Sequence, residues 1–384
     1  MNSSGPALHI VHVYNQLDPL NGGPPRVILG LAAAQRALGH ELSFVSADPP
    51  GLPAIARFYG PLLDPLPQRV VLRGEPRYWR NLPALIALLR RADVVHLHGI
   101  FPEPNPVVAG LCRVVGTPYI LTPHGSLHRG AMREKPLKKK IGRHLLGYGT
   151  MVRHAAAIHA LNDHEAQGSV WPLPKRVVVI PNGVFPDEFI ELPEPGTFRQ
   201  RTPELGDDPY VLFLSRLHPG KGCAELGAAF SLLAKDHPTL HLLAFGNDQG
   251  GKAQLEAAAD QGGWRARLHT PGLIDGAEKR AAFVDAAVYT LPSHHEGFSM
   301  AITEAMACGA PVVLTEGCHF PEVAQAQAGY VVPLDPQALA QALSAVLSDP
   351  EAKAMGERGR ALILKRYTWP AIGAQIIGLY REVL

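Results

Sequence analysis

Two carboxylates and two cations are the residues of this sequence best suited to chemistry. Arg216 and Lys221 stand five residues apart in "SRLHPGKG", and Glu296 and Glu304 stand eight apart in "EGFSMAITE". A guanidinium fork and an ammonium point charge, with Gly220 and Gly222 beside them, suit a diphosphate. A solvated strand end can carry the same pair. Glu304 lies among Ala301, Ile302, Ala305, Met306 and Ala307. An ionised carboxylate there is costly unless it is paired or hydrogen-bonded. A cis-diol such as a ribose would donate two hydroxyls to its two oxygens, and Glu296 could do the same for a sugar. The alternative places Glu304 on an exposed helix face and Glu296 in a plain loop. Ser299 reads as a helix N-cap and Gly309 as the left-handed stop of that helix. The amides of Phe298 to Ala301 are then available to an anion.

The elements around these residues follow a single pattern. Short apolar runs alternate with helical periodicity from end to end. They are 8–14, 41–47, 93–99, 118–125, 156–162 and 176–183 in the first half. In the second they are 210–216, 240–246, 267–272, 286–293, 310–315 and 328–334. Runs such as Val177–Ile180 are apolar without alternation, as in parallel strands covered on both faces. Helical patterns such as 26–39, closed by Gly39, and 222–236 lie between them. The expectation is α/β: two doubly wound, Rossmann-like domains facing each other across a cleft. The Pro- and acid-rich stretch 185–210 marks the boundary, giving domains 1–190 and 205–365 and a closing segment 366–384. The Pro-rich 49–67 region reads as a loop. Polar residues gather after the strands, where such folds bind ligands: Gly22 and Gly23 before a helix, Gly99, His124-Gly125 and Asn182-Gly183.

Composition removes several classes of protein. With 46% hydrophobic and 18% charged residues, the chain of 384 residues is globular with an ample core. No apolar run reaches the roughly 20 residues of a membrane span, and the N-terminus does not read as a signal peptide. Cys112, Cys223, Cys308 and Cys318 are scattered, so neither a disulfide framework nor structural zinc is expected, and a reducing cytoplasm fits. The net charge of +2 hides a division. Residues 1–190 hold 20 Lys+Arg and 12 Asp+Glu (+8), and residues 191–384 hold 16 and 22 (−6). Much of the excess sits in 132–154, where Lys135, Lys138, Lys139, Lys140 and Arg143 interleave with Leu137, Ile141, Leu145 and Leu146. That basic amphipathic pattern suits a helix on anionic lipid, or a solvated helix beside a binding cleft. It lacks the interleaved aromatics of a nucleic-acid surface.

Glu296 to Glu304 resembles the E-x7-E signature of retaining glycosyltransferases of family 4, which have the GT-B fold. The resemblance extends over the whole chain: "GGPPRVILGLAAAQRALGHE", "VVHLHG", "TPHG", "IPNGV", "SRLHPGKG" and the closing "YTWPAIGAQIIGLYREVL". It implies that the last helix crosses back onto the N-terminal domain, docked by Trp369 and Tyr380. It also implies roles. Arg216 and Lys221 would neutralise the donor diphosphate, Glu304 would hold the ribose, and Glu296 would hold the transferred sugar. Gly297, Phe298, Ser299 and Met300 would lie beside that sugar. His124 would contact the donor sugar near the reacting carbon, and Gly22 and Gly23 would approach the phosphates. Gly272 and Leu273 would lie near the base, and His98, His124 and Asn182 on the acceptor side. Two departures stand out: Ser299 replaces a common glycine, and "AFGNDQGG" replaces a glycine-rich turn around Gly246.

The implied reaction moves a sugar from a nucleoside diphosphate to a hydroxyl with retention. A UDP-sugar is favoured over GDP-mannose, and the acceptor is a saccharide or lipid-linked saccharide of surface polysaccharide or glycolipid synthesis. No carboxylate nucleophile stands out, so a front-face route is expected, in which the leaving phosphate takes the acceptor's proton. No D-x-D cluster is present, so neither metal nor other cofactor is expected. The expected partners are the donor, the acceptor and an anionic membrane surface, with no nucleic acid, for an enzyme of the cytoplasm or the inner face of its membrane. A sugar phosphorylase, a nucleotide-sugar epimerase and a non-enzymatic nucleotide-sugar-binding protein are the rivals. A dehydrogenase is disfavoured by the lack of G-x-G-x-x-G in the first unit.

Overall fold

The computed structural model describes residues 5–18, 23–47, 62–63, 68–71, 81–127 and 147–384. The chain divides into two compact units: Met1–Gly183 with Trp369–Leu384, and Val184–Thr368. Residues 184–190 therefore belong to the second unit, not the first as their sequence suggested. The cause is local: Val184 N–H donates to Tyr367 O at 2.8 Å, and the buried Phe189 joins the second core.

The first unit is a parallel sheet ordered β3-β2-β1-β4-β5-β6-β7. Its strands are β1 (His9–Val13), β2 (Glu41–Ser46), β3 (Gln68–Val71), β4 (Val94–His98), β5 (Tyr119–Thr122), β6 (Ala157–Ala160) and β7 (Val177–Val179). Strand β3 follows the Pro-rich stretch and was missed in the sequence. Strand β7 is only partly covered, with Val179 exposed, because it is the sheet's edge and packs on one side alone. An apolar run without alternation does not by itself place a strand at the centre.

Helix Gly23–Ala37 starts earlier than its periodicity indicated, because Pro24 and Pro25 fit a first turn that needs no N–H. Helix Trp369–Val383 packs against it within the same unit. The contact depends on small residues. A Cβ on Gly30 would lie 2.5 Å from Trp369 Nε1, and one on Gly373 would lie 2.9 Å from Ala34 Cβ.

The second unit is a parallel sheet ordered β10-β9-β8-β11-β12-β13. Its strands are β8 (Tyr210–Leu214), β9 (His241–Phe245), β10 (Leu268–Gly272), β11 (Val288–Leu291), β12 (Val312–Thr315) and β13 (Gly329–Val332). Four of the six strands, β8, β9, β11 and β12, are fully or mostly buried between helices such as Cys223–Asp236 and Pro336–Leu347, and the two edge strands β10 and β13 are only partly covered. In both sheets the chain leaves the first strand, winds one way, and then returns to pair its fourth strand beside the first. That reversal, between β8 and β11 in this unit, is where a doubly wound sheet opens to ligand.

Candidate active site

Loops 215–222 and 292–299 leave the two neighbouring strands at this reversal, and they are bonded to one another. His294 N–H and Ser293 Oγ both donate to Gly220 O, at 3.1 and 3.2 Å. His218 Nδ1 accepts from Gly220 N–H at 3.0 Å, and Lys221 N–H donates to His218 O at 2.8 Å. Gly222 has φ +74°, and a Cβ there would lie 1.8 Å from Pro292 O, so no other residue fits this approach.

The loops bring Lys221 and Glu296 together. Lys221 Nζ lies 2.5 Å from Glu296 Oε1, with the side chains only 13% and 10% exposed. Glu296 is further held by its N–H, which donates to Gly317 O at 2.8 Å. An ammonium has three donors, so Lys221 can keep Glu296 and still reach an anion. Glu304 is also paired, 2.9 Å from Lys279 Nζ, with exposures of 18% and 12%. The exposed-face alternative for Glu304 is therefore excluded. Lys279, on helix Gly276–Asp285, was not singled out in the sequence. Its signal was weak: one of two adjacent cations in "AEKRAAF", with the partner distant in the chain.

Ser299 occupies the N-cap position of helix Met300–Ala307 with extended backbone, yet its hydroxyl makes no capping hydrogen bond. The sequence expectation of a capping serine is corrected here. The first amides of the helix keep their capacity for an external acceptor. Gly309 has φ +80° and closes the helix as expected. Phe298 packs at a tilt against Phe320 and Tyr367, at ring distances of 5.9 and 6.3 Å, so it anchors the turn that also carries Gly297. Arg216 is exposed and donates to Gln249 Oε1 at 3.2 Å. Gly246 N–H donates to Gly272 O, and a Cβ on Gly246 would lie 1.8 Å from Ser215 O. Gly246 thus holds β8 and β10 in register, whatever the sequence after it. Leu273, just beyond, is 81% exposed.

In the first unit, His124 follows β5 with φ +52°, a strained value for a non-glycine residue. The strain is held from both sides. Gly125 N–H donates to Glu165 Oε1, and His98 Nδ1 meets His124 Nε2 at 3.2 Å. Glu165 also accepts from Leu161 N–H at 2.7 Å. Burial pushes its carboxyl above the usual range, and the two backbone donors oppose that. Glu165 was not recognised from sequence. His98 and Asn182, expected on the acceptor side, are 1% and 3% exposed. Both nitrogens of His98 are engaged by histidines, so it supports His124 and does not itself reach an acceptor. Gly23 is the first residue of its helix, with open space around its Cα. Gly22, Lys135, Lys138, Lys139, Lys140 and Arg143 lie outside the described residues.

Comparison with known proteins agrees with this architecture. Residues 22–183 match the glycosyl transferase 4-like domain, and residues 196–362 match glycosyl transferases group 1. The chain is 30% identical to phosphatidyl-myo-inositol mannosyltransferase of Mycolicibacterium smegmatis, over 94% of this chain and 90% of that one. The protein is a GT-B glycosyltransferase of family 4. The transferase is also 26% identical to GDP-mannose:cellobiosyl-diphosphopolyprenol alpha-mannosyltransferase of Xanthomonas oryzae, over 98% and 97% of the two chains. Anabaena Alr3699/HepE, solved in complex with UDP, shares its fold at TM-score 0.79 and 16% identity, covering 98% of this chain and 100% of that one. Among the described residues of the transferase, no helix is long and apolar enough to cross a membrane.

Proposed function

We propose that the transferase moves a hexosyl group from a nucleoside-diphosphate sugar to a hydroxyl of a lipid-linked acceptor, with retention at the anomeric carbon. The observation that carries this reading is the Lys221–Glu296 pair beside the open N-terminus of helix Met300–Ala307, at the reversal of the second sheet. There Lys221 and Arg216 balance the departing diphosphate, Glu296 Oε2 accepts a sugar hydroxyl, and Glu304 grips the ribose. Gly272 and Leu273 lie along the base. Charge stabilisation of the leaving group and positioning would supply most of the rate. On this reading, the leaving phosphate oxygen removes the acceptor's proton, no covalent sugar intermediate forms, and no metal is required.

The relatives alter the preferred donor. The sequence favoured a UDP-sugar over GDP-mannose, but two relatives similar along nearly the full chain are named as mannosyltransferases, one of them for GDP-mannose. We therefore place GDP-mannose first. Both names also specify lipid acceptors, which supports a lipid-linked acceptor, and we place the reaction at a membrane surface. The basic stretch 132–154 fits that surface. Calorimetry with GDP, UDP, GDP-mannose and UDP-glucose tests the donor assignment. Binding of none of them would refute it, and tighter binding of the uridine compounds would restore the earlier order.

A further inference from the structure

Five buried or half-buried histidines of the first unit take no part in the Lys221–Glu296 and Lys279–Glu304 pairs: His12, His96, His98, His124 and His159. They lie on or just after β1, β4, β5 and β6. With Gln35, Tyr380 and Thr122 they form one continuous file of hydrogen bonds. The file ends on Ile180 O, which can only accept, so His159 Nε2 carries a proton and donates at 2.7 Å. Burial drives His159 and His12 down to about 4 and His124 to about 3, and holds His96 and His98 well below the usual value. All five rings are therefore neutral at pH 7, with one N–H each.

The direction of every bond follows from that end. His159 Nδ1 must accept, so Thr122 O–H donates to it at 2.8 Å. The Thr122 oxygen then accepts from His96 Nε2–H at 2.7 Å, and His96 Nδ1 accepts from Tyr380 O–H at 2.6 Å. Tyr380 oxygen accepts from the Gln35 amide nitrogen at 3.1 Å, which turns Gln35 Oε1 toward His12 Nε2–H at 2.7 Å. His12 Nδ1 accepts from His98 Nε2–H at 3.0 Å, and His98 Nδ1 accepts from His124 Nε2–H at 3.2 Å. His12, His96 and His98 have the spacing of a metal triad, but both nitrogens of each ring are already used.

We infer that this file fixes His124 as the Nε2–H tautomer, so that its Nδ1 is an obligate hydrogen-bond acceptor, and that Gln35 and Tyr380 are positioning residues for it. Of the residues linked by side chains, only His124 is more than 9% exposed, so the file reaches the surface at that ring. The ring can take a proton-bearing group of a substrate, such as a sugar hydroxyl, and cannot donate to a carbonyl or phosphate oxygen. Tyr380 is remote in sequence but sets the sense of the file, because its hydroxyl determines which way the Gln35 amide points. The role at substrate rests on the proposed transfer reaction; the tautomer does not.

Ring-15N-histidine NMR of the whole protein at pH 7.5 reads the tautomers directly. The expected result is the Nε2–H form for all five rings. In Tyr380→Phe, His159 keeps its form because Ile180 O still holds it. Gln35 is then free to turn over, so His12, His98 and His124 become tautomer mixtures. The same variant should lower kcat about fivefold, the worth of one neutral hydrogen bond, and leave the KM for nucleotide sugar within about twofold. An Nδ1–H form at His98 or His124 in the parent protein overturns the inference, even if the variant does not fold. So does a Tyr380→Phe protein with unchanged tautomers, since a merely structural tyrosine would lower stability without moving them. If the parent binds no nucleotide sugar but shows the five Nε2–H rings, the transfer reading fails and the file stands.

Discussion

The two sheets share one strand order through their first six strands, yet they fill the equivalent place with opposite chemistry. Where β1 meets β4, His12 lies opposite His96, and the interior is a file of neutral imidazoles. Where β8 meets β11, Leu212 lies opposite Tyr289, and the interior is apolar. The second unit instead places its ion pairs beyond the strands, Lys221–Glu296 between two loops and Lys279–Glu304 between two helices. Topology sets where a site can be, and the side chains at the reversal decide whether it handles charge. A diphosphate needs cations that keep their charge, and partly exposed loops allow that. A buried cavity wall favours groups that can lose theirs.

The comparison breaks most readily at Lys221. Lys221→Ala should reduce transfer about a thousandfold by removing a preorganised cation from the leaving group. Steady-state kinetics beside GDP calorimetry measures it, and a loss under tenfold would deny Lys221 that role. Acid should next separate the two units. The histidines of the file have folded pKa values below the unfolded value near 6.5, so the unfolded chain binds more protons between about 4 and 6.5. Stability from them is complete above 6.5 and is lost as pH falls toward 4. With His12 and His159 alone, the slope is about 3 kcal/mol per pH unit. Hydrogen exchange at pH 7 and pH 5 should show the first unit opening first; equal loosening of the second would erase the contrast.

Smaller effects sharpen it further. Glu304→Ala should weaken nucleotide binding about tenfold to a hundredfold, as expected for hydroxyls lost from a charged acceptor. Gly30→Val forces a branched side chain into the Trp369 indole and should cost about 2 kcal/mol, read as a lower Tm. Lys279→Met should change nucleotide affinity about threefold at most, because Lys279 holds Glu304 and not the ligand, but it should also lower Tm by leaving a mostly buried carboxylate unpaired.

Much of this was legible in the chain. Strand–helix alternation, the glycines at 222 and 309, and the cations of 215–222 are local signals, and the structure keeps them where spacing placed them. Strand β3 and Glu165 were not legible. The first is a four-residue strand after a Pro-rich stretch, and the second is a carboxylate whose burial depends on neighbours 40 residues away. The partners of Glu296 and Glu304 were hidden for the same reason. Ser299 illustrates the reverse case, a residue of capping type whose hydroxyl makes no cap.

The sequence by itself determined the two doubly wound units and the family, and it picked out the charged residues on which the proposed donor site rests, because periodicity and motif spacing act over a few residues. Only the tertiary structure decided which lysine meets which carboxylate, that His98 supports His124 and does not reach an acceptor, and that a tyrosine near the C-terminus orders histidines from four strands. Hydrogen-bond direction propagates through contacts that link residues up to 345 positions apart, and no local pattern encodes it.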